Sequence, residues 1–207
     1  MSRVIAIDGP AAAGKGTLAR AMAEALNFAY LDTGSLYRTV GLKAAAVKAL
    51  DDAGAVAASL SPHDLNHPEL RSPQAGTYAS QVATQPNVRK ALFDFQRSFG
   101  LHPPEGKAGA ILDGRDIGTV IFPEADLKLF VTASPEVRAQ RRYAELPAQT
   151  RPSLAEILAQ VRARDAQDAS RATAPMTVAP DAHILDTSDQ DAAQVLNLAL
   201  SLYADLG

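Results

Sequence analysis

Residues 4–26 read VIAIDGPAAAGKGTLARAMAEAL and contain the pattern on which the fold depends. The apolar run at 4–7 predicts a short buried strand, and the spacing of apolar residues over 15–26 predicts an amphipathic helix. Between them lies a loop of small residues, which is followed at once by Lys15. A strand, a loop of small residues and a helix that begins at a lysine are typical of the first unit of an α/β fold.

The loop GPAAAGKGT, residues 9–17, has the composition of a phosphate-binding loop. Small side chains let many backbone N–H groups approach an anion, and the following helix directs the positive end of its dipole at the same point. We expect Lys15 to reach the outer phosphates of a nucleoside triphosphate and Thr17 to help hold Mg²⁺. In the usual pattern Ser or Thr follows the lysine directly, whereas here Gly16 intervenes. The alternative is a glycine-rich turn before an ordinary helix. The residues predicted to bind the nucleotide are Gly9, Pro10, Ala11, Ala12, Ala13, Gly14, Lys15, Gly16 and Thr17.

Strand and helix patterns alternate through most of the chain and predict a three-layer α/β fold with a five-stranded parallel sheet. The predicted strands cover 4–7, 29–31, 110–112, 127–132 and 182–185, and the helices cover 15–26, 35–50, 135–146, 154–168 and 190–204. Residues 51–100 interrupt this rhythm with turn formers and then helical segments at 75–84 and 87–99. We interpret 51–100 as an inserted, mostly helical arm, 1–50 with 101–207 as the core, and 143–152 as a short lid.

The composition narrows the class of protein. The chain has 207 residues, a net charge of −3, 47% hydrophobic residues and no cysteine. Disulfides and thiolate metal sites are thereby excluded. The charge argues against binding to nucleic acid or to a membrane surface. No signal peptide or membrane span is recognised, because the apolar run at 4–7 is short and ends at Asp8. We expect a cytoplasmic monomer.

The stretch YLDTGSLYR, residues 30–38, follows the second predicted strand. Thr33 or Ser35 is expected to cap the next helix, with Tyr37 and Arg38 one turn further on. An arginine there can bind a monophosphate through two parallel hydrogen bonds. The alternative is a capped helix that carries a surface arginine.

The stretch ILDGRDIGTVIF, residues 111–122, follows the third strand. Asp113 ends a strand expected beside the phosphate loop, where an acid commonly orients Mg²⁺ or its waters. Arg115 and Asp116 then lie at the carboxyl end of the sheet, where open α/β folds bind ligands. A solvated Arg–Asp pair is the alternative.

The helix predicted at 154–168 has one face that changes character. Ile157, Val161, Arg164, Asp168 and Arg171 are spaced four, three, four and three residues apart and so share that face. Because the face begins apolar and becomes charged, we expect the helix to run from the core into a polar cleft. A surface i,i+4 pair is the alternative.

Arginines also crowd the preceding helix at Arg138, Arg141 and Arg142, with Arg151 beyond it. Like charges at this spacing repel unless an anion joins them, which predicts a lid over a transferring phosphoryl group. A basic surface is the alternative.

The motif that reads guanine in GTPase switches, Asn-Lys-x-Asp, does not occur. A small phosphotransferase is therefore favoured over a P-loop switch.

Five stretches together resemble the bacterial cytidylate kinase family: IAIDGPAAAGKGTLA, LDTGSLYR, VRKALFDFQRSF, LDGRDIGTVIFP and RDAQDASRA. The resemblance runs from residue 4 to about 188, and it implies transfer of the γ-phosphoryl group of ATP to CMP or dCMP with Mg²⁺. A kinase for another small acceptor, such as UMP, shikimate or dephospho-coenzyme A, is the alternative.

The resemblance also implies a role for each residue that matches its motifs. From the chemistry of the residues themselves we expect Lys15, Arg115 and Arg142 to stabilise the transferring group, and Thr17 and Asp113 to hold Mg²⁺. Arg38, Arg115 and Arg164, with Tyr37 alongside, are implied to bind the acceptor phosphate, Asp168 the sugar, and Ser80, Arg89, Asp116 and Arg171 the cytosine. The base choice is chemically reasonable, because a carboxylate accepts from the cytosine N4 amino group whereas uracil presents an acceptor there.

Overall fold

A computed structural model describes residues 2–149 and 151–207. Within these residues five parallel strands form one sheet in the order β2-β3-β1-β4-β5, which confirms the predicted fold. The strands are β1 Arg3–Asp8, β2 Ala29–Asp32, β3 Gly109–Gly114, β4 Leu127–Thr132 and β5 His183–Asp186. Met1 in the predicted core and Thr150 in the predicted lid lie outside the described residues.

Helices connect the strands and cover the sheet. They are α1 Lys15–Leu26, α2 Thr33–Ala46, α3 Gly54–Ala58, α4 Pro73–Val82, α5 Pro86–Leu101, α6 Pro135–Glu145, α7 Leu154–Ala169 and α8 Ala192–Ala204. Short 3₁₀ turns occur at Pro62–Asn66, Pro68–Arg71 and Pro104–Gly106, and a π-helical turn spans Ile117–Ile121. In the described parts of the chain, no helix is both long enough and apolar enough to cross a bilayer.

Helix α2 differs from its prediction at both ends. It is capped by Asp32, whose side chain accepts from the backbone N–H of Ser35 at 3.1 Å, and not by Thr33 or Ser35. The Thr33 hydroxyl instead donates to the carbonyl of Asp113 at 2.7 Å. The helix ends at Ala46 rather than at residue 50, and Lys48 adopts a left-handed φ of 57° that no α-helix can contain.

Side chains alternate across the sheet and build a core on each face. Val4, Ala6 and Leu112 belong to the core covered by α2 and α5, whereas Ile5 and Ile7 belong to the core covered by α1 and α8. Both faces of the central strands are therefore buried, as parallel sheets require.

The carboxyl ends of β1, β2 and β3 meet at one edge of the sheet. The register aligns Asp8 with Gly114 and Asp32 with Asp113, so the loops that carry the predicted site residues leave the sheet side by side. Asp8 fixes one of these loops, because its carboxylate accepts from the backbone N–H groups of Ile117 at 2.8 Å and Gly118 at 2.7 Å.

Candidate active site

The loop between β1 and α1 has the geometry of an anion cradle. Gly14 precedes α1 at a left-handed φ of 92°, and Gly9 lies so close to β4 that a Cβ would be 2.0 Å from the carbonyl oxygen of Val131. Both positions therefore require glycine. The turn brings the N-terminus of α1, with its free N–H groups, to the cleft.

Lys15 is buried at the base of this loop. Its Nζ donates to the carbonyl of Pro10 at 2.8 Å. Burial, followed by the positive charge of Arg115, lowers the pKa of Lys15 to about 7. A polyphosphate beside this amine would favour its charged form and raise the pKa again.

Asp113 lies at the end of β3, opposite the start of α1. It is buried, and burial together with the charge of Asp32 raises the pKa of its carboxyl group. The hydroxyl of Tyr30 donates to its Oδ2 at 2.8 Å. A Cβ at Gly16 would lie 3.3 Å from that Oδ2 and 3.5 Å from the Tyr30 hydroxyl. Tyr30 and Asp113 thus take up the space beside position 16, where the usual loop carries a hydroxyl.

Three arginines, Arg38, Arg115 and Arg164, lie near one another in the same cleft. Arg115 Nε donates to Oδ2 of Asp168 at 2.8 Å, and Arg38 pairs with Asp32. Burial, followed by the charge of Arg115 and further by that of Arg38, lowers the pKa of Arg164 to about 10. The buried Nε atoms of Arg38 and Arg164 have no hydrogen-bond partner among the described residues. Such a cluster is poised to bind an anion.

A second group of polar side chains is buried deeper in the cleft. Arg89 pairs with Asp116, and Arg171 pairs with Asp168. Burial raises the pKa of Asp116, while Arg89 opposes that shift. The Arg89 guanidinium also lies over the ring of Tyr37, 5.8 Å from its centre.

Ser80 completes this group from α4, where its hydroxyl donates to the carbonyl of Gly76 at 3.1 Å. All five predicted base and sugar residues (Ser80, Arg89, Asp116, Asp168 and Arg171) line one cleft with the phosphate loop.

Helix α7 has the predicted change of face. Ile157 and Val161 pack in a small apolar cluster with Ala139, and Arg164 and Asp168 follow them into the cleft. Arg171 lies two residues beyond the end of α7 and also lines the cleft.

The crowded arginines of α6 were predicted to share a bound anion, but two of them have partners within the protein. Arg138 binds the carboxylate of Asp165, and Arg141 donates to the hydroxyl and the carbonyl of Thr187. Arg142 is partly exposed, lies 3.4 Å from Glu145 and lines the cleft.

The cleft has a volume of about 1690 Å³. A pocket for one small molecule typically has about 300–1,000 Å³, so the cleft has room for two nucleotides. Of the predicted loop residues, Ala11–Thr17 line it, whereas Gly9 packs against β4 and Pro10 supplies the carbonyl partner of Lys15.

Tyr30 and Asp32 are polar cleft residues to which the sequence analysis gave no role. Their signal is strand alternation: Tyr30 and Asp32 are two residues apart in β2 and so point to the same face, towards Asp113.

This fold and this two-sided cleft define a P-loop phosphotransferase. A family model described as cytidylate kinase matches residues 5–205. Curated relatives named cytidylate kinase include one from Paramagnetospirillum magneticum, 54% identical over 98% of each chain, and one from Rhodospirillum rubrum, 52% identical over 97% of each. The chain belongs to the cytidylate kinase family and is an ATP-dependent nucleoside monophosphate kinase.

Solved structures agree on the fold. A shikimate kinase from Bacteroides thetaiotaomicron superposes with a TM-score of 0.52 at 16% identity, covering 98% of each chain. At that identity the likeness concerns the fold alone.

Proposed function

We propose that the chain transfers the γ-phosphoryl group of ATP to CMP and dCMP, giving CDP and dCDP, with both nucleotides bound in the cleft. Phosphorylation of CMP by ATP follows from the family. The observation that carries the proposed binding mode is the half-buried guanidinium cluster of Arg38, Arg115 and Arg164, which lines the same cleft as the phosphate loop.

The donor half of the site is the phosphate loop. The N–H groups at the start of α1 and the ammonium of Lys15 bind the outer phosphates of ATP. Lys15 loses its hydration on burial, so an anion is the partner that restores its charge. Arg115 and Arg142 add positive charge where the phosphoryl group moves.

The acceptor half binds the monophosphate of CMP. The free Nε groups of Arg38 and Arg164 supply donors that nothing else in the described chain uses, and Arg115 joins them. Three guanidinium groups placed close together repel one another, and a dianionic phosphate between them would offset that repulsion. Tyr37 packs beside the acceptor at the start of the base pocket.

The base pocket selects cytosine. Asp116 accepts a hydrogen bond from the cytosine N4 amino group. Arg89, Arg171 and Ser80 donate to the acceptor atoms of cytosine and form the pocket wall. Asp168 binds the sugar hydroxyls. Uracil would place an acceptor against the Asp116 carboxylate, and a buried mismatch of this kind is strongly disfavoured.

Mg²⁺ fits the site in the manner of a kinase. In the described ranges no three acidic or histidine side chains come together to hold a metal. A metal held by substrate phosphates, water and one or two protein groups is what Mg²⁺ prefers. Thr17 and Asp113 would be those groups, and the bound ion would neutralise charge on the phosphates.

Residues 51–100 serve as the arm for the acceptor nucleotide, and 143–152 as a lid whose closure excludes water and prevents loss of ATP by hydrolysis. The enzyme works as a cytoplasmic monomer.

A coupled assay of ATP consumption over CMP, dCMP, UMP, AMP, GMP and shikimate tests the proposal. We expect turnover with CMP and dCMP far above that with the other acceptors. Preference for UMP or shikimate, or consumption of ATP that no acceptor accelerates, would contradict it. The last result would indicate a P-loop switch.

A further inference from the structure

Arg138 makes an unusual set of contacts for a side chain outside the cleft. Its side chain is only 3% exposed. Nε donates to the carbonyl of Ala133 at 2.9 Å, and the two terminal nitrogens donate to the carboxylate oxygens of Asp165 at 2.9 and 2.6 Å. One of these nitrogens also lies 3.3 Å from the carbonyl of Ala11. One guanidinium therefore touches the end of β4, the phosphate loop and helix α7.

The contact with Ala11 supports the donor side of the site. A loop that turns its N–H groups towards a phosphate turns carbonyls outward, and buried carbonyls need donors. Arg138 supplies one for Ala11, and the Thr187 hydroxyl lies 3.1 Å from the carbonyl of Ala13. Carbonyls of the phosphate loop are thus held by two side chains that do not line the cleft.

The contact with Asp165 fixes the acceptor side. Asp165 lies on α7 between Arg164 and Asp168, which belong to the acceptor site. The apolar packing between α6 and α7 is small, with Ala139, Ile157 and Val161 as its buried members. The pair formed by Arg138 and Asp165 is therefore a largely buried polar contact that joins α7 to α6, next to the phosphate loop.

We propose that Arg138 is a positioning residue that holds the phosphate loop and helix α7 in one relative placement, and so couples the binding of ATP to that of the acceptor. The inference rests on the proposed function, since it concerns the same two nucleotides. Phosphoryl transfer needs the donor and acceptor oxygens in line, and a misplacement of about 1 Å can cost on the order of 100-fold in rate.

A second ion pair between the same helices provides a matched control. Arg162 on α7 pairs with Glu136 on α6 at 2.6 Å, but the two side chains are 60% and 53% exposed. Arg162→Met thus breaks an α6–α7 ion pair without touching the phosphate loop. If ion pairs between these helices had a merely structural role, Arg162→Met and Arg138→Met would affect nucleotide binding to a similar extent.

The experiment measures coupling rather than activity alone. Affinity for CMP is measured by calorimetry with and without a non-hydrolysable ATP analogue, and the ratio of the two values gives the coupling. We expect a ratio well above one in the wild type and in Arg162→Met. In Arg138→Met we expect a ratio near one and a kcat lower by about 10–100-fold. Arg138→Lys keeps the charge but cannot reach all three partners, and we expect an intermediate ratio.

Thermal unfolding of each variant accompanies the binding data. Should Arg138→Met fail to fold, Arg138→Lys carries the test. A folded Arg138 variant with the wild-type ratio overturns the inference, as does an equal loss in Arg162→Met or a wild-type ratio of one. Turnover of CMP by the wild type is measured first. Absence of turnover refutes the proposed function and this inference with it. Normal turnover, together with a wild-type coupling ratio in a folded Arg138 variant, refutes the inference alone.

Discussion

Removal of the Asp116 carboxylate tests the base pocket most sharply. Asp116 is buried, pairs with Arg89, and is proposed to accept from the cytosine N4 amino group. A hydrogen bond to a charged group contributes about 1.5–3 kcal/mol. Since about 1.4 kcal/mol corresponds to a factor of ten, we expect Asp116→Ala to lower kcat/KM for CMP by roughly 10–150-fold. UMP makes no such bond, so its kcat/KM falls less and the preference for CMP narrows.

The same change has a second, separable effect on stability. Both side chains of the pair are 9% exposed, so Asp116→Ala leaves a buried guanidinium without a counter-charge. Breaking a buried pair in this way typically costs about 3–5 kcal/mol. We expect a clear fall in Tm. The activities of the variants must therefore be compared at a temperature below the unfolding transition.

The assay compares kcat/KM for CMP and UMP in wild type, Asp116→Ala and Lys43→Met. Lys43 forms a more exposed ion pair with Asp64 at 2.9 Å, outside the cleft, and its loss should leave the preference unchanged. A folded Asp116→Ala enzyme with the wild-type ratio of CMP to UMP would refute the assignment of Asp116 to the base.

Three further changes test the remaining parts of the site. Lys15→Met should abolish phosphoryl transfer while the protein stays folded. In the wild type at pH 8, binding of ATP should take up a proton because the phosphates raise the lowered pKa of Lys15, and calorimetry in buffers of different ionisation enthalpy measures this uptake. Turnover by the variant, or unchanged proton uptake in it, would contradict the role of Lys15. In Tyr30→Phe, Asp113 loses the hydrogen bond that orients it. The Mg²⁺ concentration needed for half-maximal activity should therefore rise and Mn²⁺ binding to the ATP complex should weaken in EPR titrations, with KM for CMP unchanged. An unchanged metal requirement would remove Tyr30 from the metal site. Burial raises the pKa of Asp8 to about 6, so the folded state holds this proton more tightly than the unfolded state, and stability falls as the pH rises. Relative to Asp8→Asn, the wild-type free energy of unfolding should drop by about 2–3 kcal/mol between pH 4 and 7 in urea titrations, and a flat difference would contradict the shift.

The sheet was predictable because its strands are short, continuous apolar runs separated by helical patterns. Burial of both faces of β1 and β3 explains why they lack polar alternation, and each predicted strand overlaps an observed one. The ends of helices were less predictable. The cap of α2 is Asp32 rather than Thr33 because the Thr33 hydroxyl is used by the carbonyl of Asp113, a contact between distant parts of the chain.

The cleft residues were predictable where a motif places them at the end of a strand. Asp113 lies at the end of β3 and Arg115 and Asp116 follow the strand directly, so the fold alone brings them to the phosphate loop. The partners of the arginines were not predictable in the same way. Spacing along α6 shows that Arg138 and Arg142 are neighbours, but only packing against α7 gives Arg138 a carboxylate and leaves Arg142 at the cleft.

Crystallography with CMP and a non-hydrolysable ATP analogue bound together tests the central claim most directly. We predict that Arg38 and Arg115 turn from Asp32 and Asp168 to join Arg164 around one CMP phosphate, each with a nitrogen about 2.7–3.0 Å from a phosphate oxygen. A CMP phosphate bound elsewhere, with Arg38 and Arg115 still on their carboxylates, would contradict the proposed meeting of the two nucleotides in this cleft.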